Sequence, residues 1–160
     1  MLYGTSAVVI RQLQMVLNAA TGIIVGLGKY EHITLVLCDV LHLLPVLQRI
    51  QFEIATLTSD CVRGTGPAYF SSIACTVADN SGRSGLCSAE RGDLFIPRIR
   101  TTRLGRRSFL IAAPVVWNSL LLHLRSPSIS RSQFQAGLKT HFFRLAFHWL
   151  FLRELSKSLN

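Results

Sequence analysis

The sequence predicts a mainly α-helical protein with a helical, bundle-like N-terminal half, a short arginine-rich β-hairpin and two C-terminal helices. Three observations carry that expectation. Apolar residues recur at helical spacing in several stretches of the 160-residue chain. Pro45 and Pro114 stand where a proline opens a helix, its missing N–H being one that a first turn leaves unpaired anyway. Short apolar runs, Leu94-Phe95-Ile96 and Ser108-Phe109-Leu110-Ile111, flank an arginine-rich loop containing Gly105, the pattern of a hairpin.

The first helix runs from Ala7 to about Ala20 on a stripe of Val8, Leu13, Val16, Leu17 and Ala20, and weakens at Gly22, Gly26 and Gly28. A second spans His32 to Leu43 and ends before Pro45. The third, opened by Pro45, has the cleanest apolar stripe: Val46, Ile50, Ile54, Leu57 and Cys61. It stops near Arg63-Gly64, where a left-handed glycine caps the last carbonyls. Gly66-Pro67 opens a short turn through Tyr69, Phe70 and Ile73. The stretch from Thr76 to Gly92 is rich in Asp, Asn, Ser and Gly and reads as a loop or linker. After the hairpin, Pro114 starts a helix to about Leu124. Ser126-Pro127-Ser128 separates it from the last helix, whose N-cap is Ser130 and whose apolar face is Leu138, Phe142, Leu145 and Trp149. The resulting division is 1–75 (helical), 76–92 (linker) and 93–160 (basic hairpin plus C-terminal helices).

Charge follows the same division. The chain has a net charge of +9, from 17 Lys and Arg against 8 Asp and Glu. Residues 1–80 carry four basic and five acidic side chains, a net of −1, whereas residues 81–160 carry thirteen and three, a net of +10. With 49% hydrophobic residues, 16% charged residues and a mean hydropathy of +0.38, the chain is too apolar for a disordered protein. Cys38, Cys61, Cys75 and Cys87 form no C-x-x-C pair, which argues against structural zinc and for small buried hydrophobes. The N-terminus lacks the basic region and cleavage site of a secretory signal. The apolar runs Met15–Gly28 and Phe142–Leu152 fall short of the ~18–20 residues of a membrane span. These features point to an intracellular protein, nuclear or cytoplasmic.

Motifs for catalysis are missing. The segment from Gly22 to Tyr30 has five residues, not four, before Gly28-Lys29 and no Ser or Thr after it, so it is not a phosphate-binding loop. The carboxylates are scattered, which leaves little to hold paired metal ions. His42 and His141 fall within helical segments and read as histidines bonded to a backbone or carboxylate partner. No catalytic residue, metal site, cofactor or small-molecule substrate is predicted. What remains is Arg98, Arg100, Arg103, Arg106 and Arg107, five arginines in ten positions, with no acidic residue between Asp93 and Glu154. Guanidinium forks match phosphate oxygens, and clustering raises the local potential. On a strand, Arg98 and Arg100 would share one face as a row of phosphate contacts. The alternative is a solvated basic loop. Phe109, Ile111, Trp117 and Leu120 are assigned to the core behind this surface.

Three stretches together carry a resemblance. The first holds Leu17-Asn18-Ala19-Ala20, His32-Ile33-Thr34, Leu41-His42, Leu44-Pro45-Val46 and Arg49-Ile50-x-Phe52-x-Ile54. The second is Gly64-x-x-Pro67-x-Tyr69. The third holds Ile96-Pro97-Arg98-x-Arg100, Gly105-x-Arg107-x-Phe109, Ala113-Pro114-x-x-Trp117-Asn118-x-Leu120, Leu124-Arg125 and Phe134-x-x-x-Leu138-Lys139-Thr140-His141. Their order over about residues 12–145 resembles the region downstream of the catalytic palm, the thumb and C-terminal extension, in reverse transcriptases of LINE-type non-LTR retrotransposons.

The resemblance implies a non-catalytic piece that grips RNA or DNA. The family's Tyr/Phe-x-Asp-Asp motif is absent, so the RNA-directed DNA polymerase activity would belong to a parent polyprotein, the remainder of which is an implied partner. The family usually has Trp at Leu43, Pro at Leu35 and Leu121, Arg at Cys87 and Tyr-Lys at Ser59-Asp60. Such changes are those of a copy drifting without selection, which implies a degenerate fragment. Two rivals stay open. One is a translated remnant without function. The other is a cationic peripheral membrane or partner-binding protein using the helix from Phe134 to Leu152, although Lys139, Arg144 and Arg153 are few cations for an anionic surface.

Overall fold

Helices dominate the computed structural model, which describes residues 2–28, 32–70, 75–79, 91–98 and 105–158, with side chains for all of these except Arg106 and residues 149–158. In chain order they are α1 (Ala7–Val25), α2 (Ile33–Leu35, running into a π-helical segment Val36–Val40), α3 (Val46–Val62), α4 (Phe109–Asn118) and α5 (Arg131–Ser158). Short 3-10 turns occupy Gly105–Arg107 and Leu122–Arg125. The chain divides into two compact units that are interleaved in sequence. One comprises Met1–Gly4 and Ile50–Gly137, the other Thr5–Arg49 and Leu138–Asn160.

In the first unit the core is Ile54, Ala55, Cys61, Val77, Leu94, Ile111, Ala112, Ala113, Val116, Trp117, Leu120, Leu124 and Phe134, all buried. Burial of each large apolar side chain contributes about 1.5–3 kcal/mol. The inward face of α3 is not the stripe expected. Ile54 and Cys61 are buried, but Leu57 is 40% exposed, and Thr58 and Ser59 take its place. A hydroxyl is tolerated there because it finds a partner on its own helix: Thr58 Oγ1 donates to the Ile54 carbonyl at 2.7 Å. The end of α3 is as expected. Gly64 has φ +71°, its N–H bonds the Cys61 carbonyl at 3.1 Å, and Thr65 N–H bonds the Asp60 carbonyl at 2.9 Å, a Schellman motif.

The hairpin does not form, and no strand occurs among the described residues. Phe109, Leu110 and Ile111 instead begin α4, five residues ahead of the expected start at Pro114, which lies inside the helix. The reason lies in the sequence pattern, since most of this run is buried although Leu110 is 41% exposed. An unbroken apolar run from Phe109 to Val116 has no periodicity to separate strand from helix. Ser108 supplies the start, since its extended backbone (φ −69°, ψ 147°) offers its carbonyl to Ala112 N–H at 3.0 Å. Leu94 pairs elsewhere, through a single antiparallel bridge to Thr76, flanked by Val77 N–H to the Asp93 carbonyl and Phe95 N–H to the Cys75 carbonyl. The start of the expected linker therefore belongs to the core, with Val77 buried. Positions 80–90 lie outside the described residues.

In the second unit Leu37, Cys38 and Phe147 form the buried cluster, with Ile33, Leu43, Phe143 and Ala146 packed on it. The second helix is shorter than its expected span of His32 to Leu43. Leu41 N–H reaches back five residues to the Val36 carbonyl, and at His42 the chain turns with φ +47°. His42 is therefore outside the helix. Its Nδ1 lies 2.8 Å from the Cys38 carbonyl, as a backbone-bonded histidine. α1 is longer than expected, because its glycines weaken it without ending it until Gly26 adopts φ +69°. Its half-buried side mixes Ile10, Leu13 and Leu17 with Gln14 and Asn18. Thr21 is its one buried residue, and Gln14 Oε1 accepts the Val46 N–H at 2.8 Å, satisfying a donor that the start of α3 leaves unpaired. Val8, Met15, Val16, Ile23 and Ile24 are exposed. By length and composition α1 is able to cross a membrane, which the Met15–Gly28 run alone did not suggest.

α5 begins with a capping box. Ser130 Oγ accepts Gln133 N–H at 3.2 Å, and Gln133 Oε1 accepts Ser130 N–H at 2.9 Å. Phe134, Leu138, Phe142 and Phe147 form its buried face, while Leu145 is exposed. Phe147 departs from helical geometry (φ −117°, ψ 15°) and kinks the helix there.

Candidate nucleic-acid interface

Arg98 is placed by an anchored segment in the first unit. Leu94, 1% exposed, is clamped through both backbone groups: its N–H donates to Asn118 Oδ1 at 2.8 Å, and its carbonyl accepts from Asn118 Nδ2 at 2.9 Å. Trp117 Nε1 donates to the Gly92 carbonyl at 3.1 Å. Asp93 pairs with Arg125. Four residues beyond Leu94, the Arg98 side chain is exposed, and no acidic side chain pairs with it in the described chain.

Arg106 and Arg107 do not lie on a strand. Arg106 and Arg107 sit in the 3-10 turn that leads into α4, a turn closed by Ser108 Oγ donating to the Gly105 carbonyl at 2.8 Å. Arg107 is half-buried, and its Nε is enclosed without a hydrogen-bond partner. Arg100 and Arg103 lie outside the described residues. Behind the turn, Ile111, Trp117 and Leu120 are buried as expected. Phe109 is half-buried, its ring 4.6 Å from that of Phe70.

Two cations of the basic half are committed to structure. The side chain of Arg125 is 6% exposed against 17% for Asp93, a partly buried pair. Arg131 bonds both carboxylate oxygens of Asp60 at 2.8 Å, which raises the guanidinium's pKa through hydrogen bonding and then charge. Arg63 donates to the Ile129 carbonyl at 2.6 Å. Sequence reasoning did not assign these roles, nor that of Asn118. The Trp117-Asn118 pair was visible as a motif, but its partners lie more than twenty positions away.

The cysteines divide by environment. Cys38 and Cys61 are buried, and Cys75 is exposed, contrary to the general expectation of burial; Cys87 lies outside the described residues. Burial, with the neighbouring Asp39 carboxylate, pushes the Cys38 thiol up to about 11. Cys61 moves the same way through burial and the charge of Asp60. No group of three or more metal-binding side chains assembles among the described residues. Comparison with protein-family models, with curated proteins and with solved structures gives no match to the chain.

Proposed function

We propose that the chain binds RNA or DNA through the phosphate backbone, without sequence preference, using Arg98, Arg100, Arg103, Arg106 and Arg107. One observation carries this reading: five arginines within ten positions, inside a stretch free of acidic residues from 94 to 153. The exposure of Arg98 supports it. The ordered blocks between residues 12 and 145 favour a thumb-like part of a LINE-type reverse transcriptase, and the chain by itself is a binder and not a polymerase. Affinity should then fall by ~0.7–0.9 log unit per log unit of salt for each phosphate neutralised. Fluorescence anisotropy with labelled duplex and single strands across a salt series measures that slope. A flat slope, or unchanged affinity after replacing the five arginines by Ala, sinks the reading. Primer extension should stay at background.

A second reading has one observation in its favour. α1 has an 18-residue window of mean hydropathy 1.5, of which 6% is buried. That favours contact with a lipid surface through α1, not through the C-terminal helix, whose apolar face is occupied by packing at Phe134, Leu138, Phe142 and Phe147. Co-sedimentation with vesicles, with competing DNA present, separates the two readings.

A further inference from the structure

The second unit carries an open cleft of about 420 Å³ lined by His42, Lys139, Thr140, Phe143 and Arg144. Four of these come from two neighbouring ridges of α5. Lys139 and Phe143 are four residues apart, as are Thr140 and Arg144, so each pair stacks along the helix surface. Phe143 lines the cleft together with the two cations. Its ring is 4.8 Å from Phe147 and 6.2 Å from His42, which makes it a supported apolar floor. Lys139 and Arg144 are both exposed and belong to neither of the described ion pairs, and no carboxylate lines the cleft among the described residues.

His42 completes the wall in an unusual way. It is the only non-glycine residue with positive φ among those described, at +47°. Histidine tolerates that region better than most residues, yet the conformation has to be held by its surroundings. Here the holding contact is Nδ1 against the Cys38 carbonyl at 2.8 Å. A carbonyl oxygen only accepts, so Nδ1 carries a proton and Nε2 is the nitrogen left to a ligand. The lining thus offers an ammonium, a guanidinium and an imidazole edge around an aromatic floor. An anion with several oxygens suits the donors, since a guanidinium fork spans two phosphate oxygens. A flat apolar group suits the floor, and the volume lies in the range of small-molecule sites.

We infer that this cleft binds a nucleoside monophosphate unit, with Lys139 and Arg144 on the phosphate and Phe143 against the base or sugar. The inference does not rest on the arginine segment, which belongs to the other unit. The unit bound is either a free nucleotide or one nucleotide of a strand.

The test is calorimetric titration of the full chain with adenosine monophosphate, adenosine and inorganic phosphate. Adenosine monophosphate should saturate a single site, with adenosine and phosphate each weaker by about tenfold or more. Lys139→Gln combined with Arg144→Gln should weaken it by about tenfold or more while thermal melting stays unchanged, because both side chains are exposed. His42→Asn, which keeps a residue type suited to positive φ, should weaken it severalfold. Adenosine monophosphate should still bind after the five arginines of the other unit are changed to Ala, which separates this inference from the backbone-binding proposal. Displacement of the nucleotide by a short oligothymidylate assigns the site to a strand, and failure to displace it assigns the site to the free nucleotide. No saturation at about 10 mM, or unchanged affinity in the double variant, overturns the inference.

Discussion

Asn118 occupies both backbone groups of Leu94 with one planar amide, and this fixes the path of the chain toward Arg98. Truncation to Ala leaves a buried N–H and a buried carbonyl without partners, at a cost of about 1–3 kcal/mol for each unsatisfied group. Asn118→Ala should therefore lower the urea midpoint markedly, whereas Asn118→Gln should recover little, because a longer amide misses the fork. Asp93 makes a similar point with charge. Asp93→Ala leaves the enclosed Arg125 guanidinium without its partner, at a cost of about 1–3 kcal/mol. Both values are read from chemical denaturation.

The thiols give a pH test with a defined sign. The Cys38 thiol moves from 9.0 to about 11 in the folded protein, through burial first and Asp39 second. Below pH 9 both folded and unfolded chains keep the proton, so stability is unaffected. Between 9 and about 11 the unfolded thiol ionises while the folded one does not, and stability falls as pH rises through that window. Cys61 acts in the same direction. Cys75, exposed, should alkylate readily near neutral pH while Cys38 and Cys61 stay protected, as mapped by mass spectrometry. Labelling of Cys38 as fast as Cys75 would contradict the burial that the shift depends on.

At the scale of elements, the ends of helices were more legible than their faces. Gly64, Ser130 and Pro45 announce boundaries through local chemistry, and the structure places a Schellman turn, a capping box and the start of α3 at those positions. Faces depend on neighbours that local sequence does not reveal. Thr58 and Ser59 are buried in place of Leu57 because their hydroxyls have local partners, at the Ile54 carbonyl of α3 for Thr58 and at the Nε of Arg63, just beyond the helix, for Ser59. The segment from Phe109 to Val116 reads equally well as strand or helix by its pattern, and the structure makes it a helix. The arginine site was legible as composition only, since its geometry turns on whether that segment is a strand. A test of the turn after α3 follows. A Cβ at Gly66 would sit 2.8 Å from Cys61 Sγ and 2.9 Å from the Cys61 backbone, which cannot move aside. Gly66→Ala should cost about 1–3 kcal/mol by overpacking. Gly64→Ala should cost about 1–2 kcal/mol by its left-handed backbone alone, although a Cβ there meets open space. Thermal melting of the two variants compares crowding with backbone strain at positions two residues apart.

For the whole molecule, the division of charge along the chain is not the division of the fold. The neutral and basic halves meet near residue 80, whereas each compact unit takes residues from both. Cations accordingly reach both units. Arg98 and Arg107 belong to one, and Lys139 and Arg144 belong to the other. The apolar excess is just as unevenly placed. The outward side of α1 leaves Val16 67%, Ile23 83% and Ile24 79% exposed, while Gln14 and Asn18 are spent on hydrogen bonds within the unit. Its side chains are therefore nearly as solvated as in the unfolded chain, so replacing them loses little burial. Val16→Lys with Ile23→Lys should change unfolding free energy by no more than about 0.5 kcal/mol. The same pair should abolish any vesicle co-sedimentation, because it sets two charges in the middle of the apolar side. Nucleic-acid affinity should be kept or slightly raised, since two cations are added. A large loss of stability in that variant would mean that the outward side of α1 is covered in solution.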